Sequence, residues 1–306
     1  MSDIAIALMP ILAVILLGFS LKQIKFIQEN AWSGLEKLTY YILFPALLIR
    51  VLGNQTLTGT PWKSMLVVVI ATLMIAATIL ISWHRIRHTV SGATFTSIFQ
   101  GGIRFNAYIT LAVAQAFFGR EGLLLSTVTC GFMIVVINFL CISVFSVWGE
   151  SAGSGIKPFI KEIIRNPLLI SCGVGWFLSA GNIELFGVID NILEMIGRAA
   201  LPFGLLAVGA ALNLRAIHGH IKAIVISSTI QFGLKPLTAA CIISFTELTG
   251  TAAGVLFIAL MTPTAPSGYI LAKQLGGDTE TISSIITFQI VLAFFLMPLI
   301  AMLTIG

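Results

Sequence analysis

Of the 306 residues, 58% are hydrophobic and only 9% are charged, and the mean hydropathy is +1.03; a soluble domain carries about 25% charged residues. This composition excludes a soluble globular domain and predicts an all-α integral membrane protein with the lipid bilayer as its solvent. The net charge of +5 sits in the segments between apolar runs, where it sets orientation, so no nucleic-acid partner is expected.

A spanning helix needs about 20 mostly apolar residues. Ten stretches qualify, near 4–21, 35–53, 63–83, 94–118, 122–148, 167–182, 191–213, 221–245, 251–275 and 281–304. The first has no basic leader and carries Asp3, so it is expected to be a retained helix with its N-terminus outside. The second, LEKLTYYILFPALLIRVLGN, contains Pro45. The fourth contains FQGGIRFNAYITLAVAQAFFG, an apolar run interrupted by Gln100, Gly101, Gly102, Arg104 and Asn106.

After the fifth comes the longest loop, GESAGSGIKPFIKEIIRNP. Its Gly/Ser start reads as a linker. Ile156, Phe159, Ile160, Ile163 and Ile164 then share one helical face opposite Lys157, Lys161 and Arg165, which predicts a short amphipathic helix on the inner membrane face. Residues 149–153 fit G-x-S-x-G, but no strand precedes them and no histidine or aspartate partner is evident. In the eighth, Lys235 precedes Pro236, and the ninth contains MTPTAPSGYILA with Pro263 and Pro266 three apart.

With the N-terminus outside, the inner loops collect Lys22, Lys25, Arg85, Arg87, Lys157, Lys161, Arg165, Arg215 and Lys222. The outer segments hold only Arg50, Lys63 and Arg120 among several acids. That asymmetry predicts ten spans with both termini outside the cytoplasm. The four cysteines lie in apolar runs and read as buried small hydrophobes. His84/His88 and His218/His220 read as loop residues near lipid headgroups, so no metal and no cofactor are expected.

The central loop divides the chain into a first five-helix repeat (1–148), the cytoplasmic loop itself (149–166) and a second five-helix repeat (167–306). Pro45 and Pro202 lie 157 residues apart, Gly119 and Gly277 lie 158, and Tyr108 and Tyr269 lie 161. Because five is odd, the second repeat enters from the opposite side. Two inverted repeats point to a secondary transporter, whose substrate binds near the midplane where one helix of each repeat is broken.

Arg104 and Asn106 lie roughly 15–18 Å into the fourth helix, half-way across the bilayer core. The two prolines reach the same depth in the ninth, and each removes a backbone donor. Helices 4 and 9 are therefore expected to break and cross, at Gly101-Gly102 and at Pro263 and Pro266. Candidate substrate contacts are Arg104, Asn106, Tyr108, Thr264 and Ser267, with Lys235 close by. Arg104 either contacts an anion or tethers broken-helix carbonyls; Lys235 either contacts an anion or satisfies carbonyls freed by its own kink. No carboxylate falls at mid-depth, so the cavity is expected to be electropositive and the substrate a small organic anion. Gly173, Gly175, Gly204 and Gly209 read as sites of close helix packing.

EKLTYYILFPALL, RFNAYITLAVAQAFFG, the Asn166-Pro167 pair, LPFGLLAVGAAL and PTAPSGYILAKQLGGD together resemble the auxin efflux carrier family, which includes PIN-type carriers and bacterial malate- or malonate-permease-like proteins. The resemblance covers essentially the whole chain and implies the ten-helix inverted repeat, a homodimer and, with so short a central loop, the bacterial type in the inner (plasma) membrane. Family members often follow the helix 4 asparagine with x-Gly-aromatic and a later proline. Here Asn106 is followed by Ala107-Tyr108, and position 113 is Val113, which implies a milder break in helix 4 than in helix 9. The expected function is secondary transport of a small organic anion, a dicarboxylate or an auxin-like acid, by alternating access. The alternative is a membrane-embedded enzyme or a sensor; no zinc-protease motif, membrane Ser/His pair or aspartate pair supports an enzyme.

Overall fold

The computed structural model describes residues 2–54, 60–150, 166–217 and 219–305, and all regular structure among them is helical. The amphipathic helix and the G-x-S-x-G motif expected in the central loop lie outside the described residues but for Gly149 and Glu150.

α1 (Ser2–Gln23) leads to α2 (Glu29–Leu38), which continues through one π-turn (Thr39–Leu43) into α3 (Phe44–Gly53). Proline causes that turn. Pro45 lacks an N–H and its ring crowds the carbonyl of Tyr41; the turn widens, and Phe44 N–H donates to Thr39 O, five residues back. α4 (Trp62–Arg87) and α5 (Gly92–Ile103) follow, and the Ser91 side chain accepts from Thr94 N at 3.2 Å to cap α5. α6 (Ala107–Trp148) is kinked at Gly119, whose φ of 58° and ψ of −138° suit glycine alone.

α7 (Pro167–Ala180) opens with Pro167 at its first turn under an Asn166 cap that accepts from Leu168 N at 3.0 Å. α8 (Gly187–Arg198) and α9 (Ala200–Ala210) are offset at Ala199, three residues before Pro202. α10 (Ile221–Thr229) runs through a second π-turn (Ile230–Leu234) into α11 (Lys235–Ile243), and Pro236 is the cause, as Pro45 is in the first. α12 (Gly250–Met261), α13 (Ser267–Leu275) and α14 (Thr279–Ile305) complete the chain.

Five helical stretches among the described residues are long and apolar enough to cross a membrane: Trp62–Arg87, Gly92–Trp148, Gly187–Ala210, Ile221–Ile243 and Thr279–Leu296. Shorter apolar helices accompany them, and the protein is a multi-pass membrane protein.

Packing sorts the helices into two groups. In one, α3 packs on α7 and α8, and α1 packs on α9. In the other, α12 packs on α6, α10 and α14 on α5, and α11 on α4. Small residues set the first group's spacing: a Cβ on Gly209 would stand 1.9 Å from Ile15 O, and one on Gly175 would stand 2.6 Å from Leu52 Cβ. Gly204 is equally tight, against the Tyr108 ring, but a Cβ on Gly173 would meet nothing within 4 Å among the described residues. Arg50 ties α3 to α8 through Asp190 Oδ1 at 2.9 Å and Glu194 Oε2 at 2.8 Å.

His84 is not a loop residue: it is buried inside α4, stacked on Phe95 at 4.0 Å with Trp148 edge-on. An imidazole body fills an apolar gap there, which sequence spacing alone does not reveal.

Candidate functional site

Two helices stop in mid-protein and restart. α5 ends at Ile103, the backbone is extended at Arg104 (φ −68°, ψ 164°) and Asn106 (φ −105°, ψ 104°), and α6 begins at Ala107. α12 ends at Met261, Thr262 is extended (φ −68°, ψ 144°), and α13 begins at Ser267. Pro263 and Pro266 sit in that second interruption, which is five residues long against three in the first.

The break in the fourth span is not at Gly101 and Gly102. Both remain in the last turn of α5, and the chain opens just after them. They serve close approach instead: a Cβ on Gly101 would lie 2.6 Å from Ile285 Cγ2, and one on Gly102 would lie 3.0 Å from Leu80 Cδ1.

Broken helices leave carbonyls that must find donors where water is scarce. The π-turn between α10 and α11 supplies one, Gln231, and the first residue of α11 another, Lys235. Lys235 Nζ donates to Ile103 O at 3.3 Å and to Gln231 Oε1 at 2.8 Å, and Gln231 Nε2 donates to Thr262 O. Thr264 Oγ1 and Gln289 Nε2 both donate to Gly101 O, at 2.9 and 2.8 Å, and Gln289 Oε1 accepts from Thr264 N at 3.0 Å. The Thr110 and Thr262 hydroxyls meet at 3.0 Å. The two interruptions are thus knotted to each other.

Beside this crossing lies a cavity of about 770 Å³. It separates the two packing groups: Ser33, Glu36, Lys37, Tyr40 and Ala211 line one wall, and Arg104, Tyr108, Asn138, Ser267 and Gln274 the other. Of the expected substrate contacts, Arg104, Asn106, Tyr108 and Ser267 line it. Thr264 and Lys235 do not: both are fully buried in the crossing, Lys235 bonding the carbonyl freed by the α5 break rather than by its own kink.

Arg104 reaches Ser267 Oγ at 3.3 Å and Asn138 Oδ1 at 3.5 Å, both neutral and both long for a charge-assisted bond. No described carboxylate forms an ion pair with it. Asn106 caps α6, accepting from Ile109 N at 3.2 Å, while its buried Nδ2 has no partner among the described residues. Tyr108 stands edge-on to Phe44 at 4.6 Å and links the two walls. The amino ends of α6 and α13 both face the cavity, adding partial positive charge to that of Arg104.

Glu36, Asn138, Tyr40 and Gln274 were not expected here. Asn138 had a signal, a lone amide inside the apolar run of the fifth span. Glu36 had none, because a carboxylate near a helix end is ordinary.

Residues 155–301 match a family described as "Membrane transport protein". The chain is also similar to an "Uncharacterized transporter" of Methanothermobacter thermautotrophicus, 23% identical over 292 residues that cover 95% of each chain.

Proposed function

We propose that the chain, which matches a membrane transport protein family over residues 155–301 and resembles the auxin efflux carriers, is a secondary transporter of a small organic anion. The observation that carries this reading is Arg104, a guanidinium at a helix interruption, lining a cavity and met, among the described residues, by neutral side chains alone: Ser267 Oγ at 3.3 Å, Asn138 Oδ1 at 3.5 Å and the Cys141 thiol. An anion's carboxylate is the partner that geometry lacks. The unpartnered Asn106 amide and the two half-helix amino ends favour the same charge.

The two packing groups support alternating access as the mode of transport: the walls of the cavity belong to different groups, so sliding or rocking one against the other would expose it to either side. Ten spans in two inverted repeats, with both termini outside, agree with the loop charges. In that orientation the cavity-lining residues occupy inner halves of their helices, so the cavity is that of an inward-facing form. A homodimer in a bacterial inner membrane completes the proposal, resting on the family resemblance.

The test is uptake of labelled mono- and dicarboxylates into proteoliposomes by wild type, Arg104→Ala and Arg104→Lys, with hydrolase turnover as a control. A charge-assisted contact of about 1.5–3 kcal/mol corresponds to roughly 10–150-fold in affinity. Arg104→Ala is expected to lose that much while staying monodisperse, and Arg104→Lys to recover part, since a point charge replaces a planar fork. Unchanged affinity in a well-folded Arg104→Ala protein would falsify the assignment.

A further inference from the structure

The cavity holds a carboxylate as well as a guanidinium. Glu36 lines the wall formed by α2, facing the wall that carries Arg104, and it forms no ion pair among the described residues. It is half-buried. The other titratable groups that line the same cavity are Lys37 on its own helix, Tyr40 and Tyr41 on the π-turn, and Tyr108 and Arg104 on the opposite wall. Glu36 and Tyr40 both lie within electrostatic reach of the Tyr108 phenol. α9, which packs against α2, offers no ionisable side chain from Ala200 to Ala210.

We propose that Glu36 is the coupling group of the transporter, taking up one proton when the anion binds at Arg104 and releasing it when the anion leaves. The proposal rests on the anion-site reading of Arg104 above. Its logic is electrostatic. An ionised Glu36 opposes a second negative charge in the same cavity, whereas a protonated Glu36 leaves the field of Arg104 and the half-helix ends uncancelled. Anion and proton therefore bind cooperatively, and by linkage each raises the affinity of the other by the same factor. Proton and anion then cross together as cavity access alternates. The two sites stand on different packing groups, so the pair is brought together by the interface that must move.

The experiment is calorimetric binding of acetate, benzoate and malate to the purified full-length protein, in two buffers of different ionisation heat, over about pH 6.5 to 8, where all three are ionised. Comparing the buffers counts protons taken up. Wild type is expected to take up close to one proton with whichever carboxylate binds most tightly, and its affinity is expected to rise up to about tenfold per unit fall in pH. Glu36→Gln should bind with no uptake and no pH dependence, and Glu36→Asp should restore both, which covers the case in which Glu36→Gln folds poorly. Proton uptake persisting in Glu36→Gln, or absent from wild type, overturns the proposal, as does wild type binding none of the three. Arg104→Ala separates the two readings: if it binds unchanged and still takes up the proton, the Arg104 site is wrong and the coupling role of Glu36 stands.

Discussion

The Lys235 amine is held in the membrane interior by two carbonyl oxygens, away from the cavity lining. Replacing it by methionine keeps the volume but strips donors from Ile103 O and Gln231 Oε1, and a buried unmet acceptor costs about 1–3 kcal/mol. Lys235→Met should therefore melt early in detergent while its surviving fraction binds anion normally, the reverse of Arg104→Ala; a ligand titration beside a thermal melt distinguishes them. Gly101→Ala would force a Cβ to within 2.6 Å of Ile285 Cγ2, an overpacking that costs about 1–3 kcal/mol. Ile285→Ala in the same protein should return part of that loss of melting temperature. Arg104, Asn106 and Ser267 were legible in the sequence because a polar residue inside an apolar run must face a cavity or a partner. The partners were not legible: Lys235 meets a carbonyl 132 residues away, and no local pattern encodes such a pairing.

Among elements, proline and glycine placed the discontinuities well, but not always where breaks first suggest themselves. Pro263 and Pro266 lie in a true interruption, whereas Pro45 and Pro236 only widen a turn, because a helix can absorb one lost donor but not two so close together. The Gly101-Gly102 pair read as a breaker and proved to be a packing surface, since tertiary contact decides what a missing Cβ is for. The loop before α14 is another junction: Asp278 accepts from Thr94 Oγ1 at 2.9 Å and from Thr281 N at 2.9 Å, joining the start of α5 to the start of α14. Burial pushes the Asp278 carboxyl up, but the Thr281 hydroxyl and amide and the Thr94 hydroxyl outweigh it, so it stays below the ordinary carboxylate range. The sign follows from linkage: its contribution to stability is full above the ordinary value and is lost as pH falls through the lower folded one. Asp278→Asn should flatten the acid limb of a melting-temperature profile, which thermal melts at stepped pH will measure; an unchanged limb would count against this junction.

At the scale of the whole molecule, composition and loop charge made a membrane bundle plain, and the spacing of apolar runs located most helices. The sorting of those helices into two packing groups was not visible, because it depends on which faces meet. The proposed orientation has a direct check. With Cys241, the exposed cysteine among the described ones, replaced by serine, an impermeant maleimide added outside whole cells should label Phe186→Cys but not His88→Cys until the membrane is opened. The opposite pattern would overturn the ten-span assignment. Arg104 rides on one of the two groups and Glu36 faces the same cavity from the other, and together they fix the electrical balance of the cycle. A monoanion at Arg104 brings one negative charge and the proton on Glu36 one positive charge, so loaded and empty cavities carry the same net charge; a dianion with one proton leaves one negative charge uncancelled. A full charge crossing the field is worth about 2.3 kcal/mol per 100 mV. Membrane voltage therefore drives a dianion's cycle and not a monoanion's, and current recorded during turnover should appear with a dicarboxylate such as malate and be absent with acetate or benzoate.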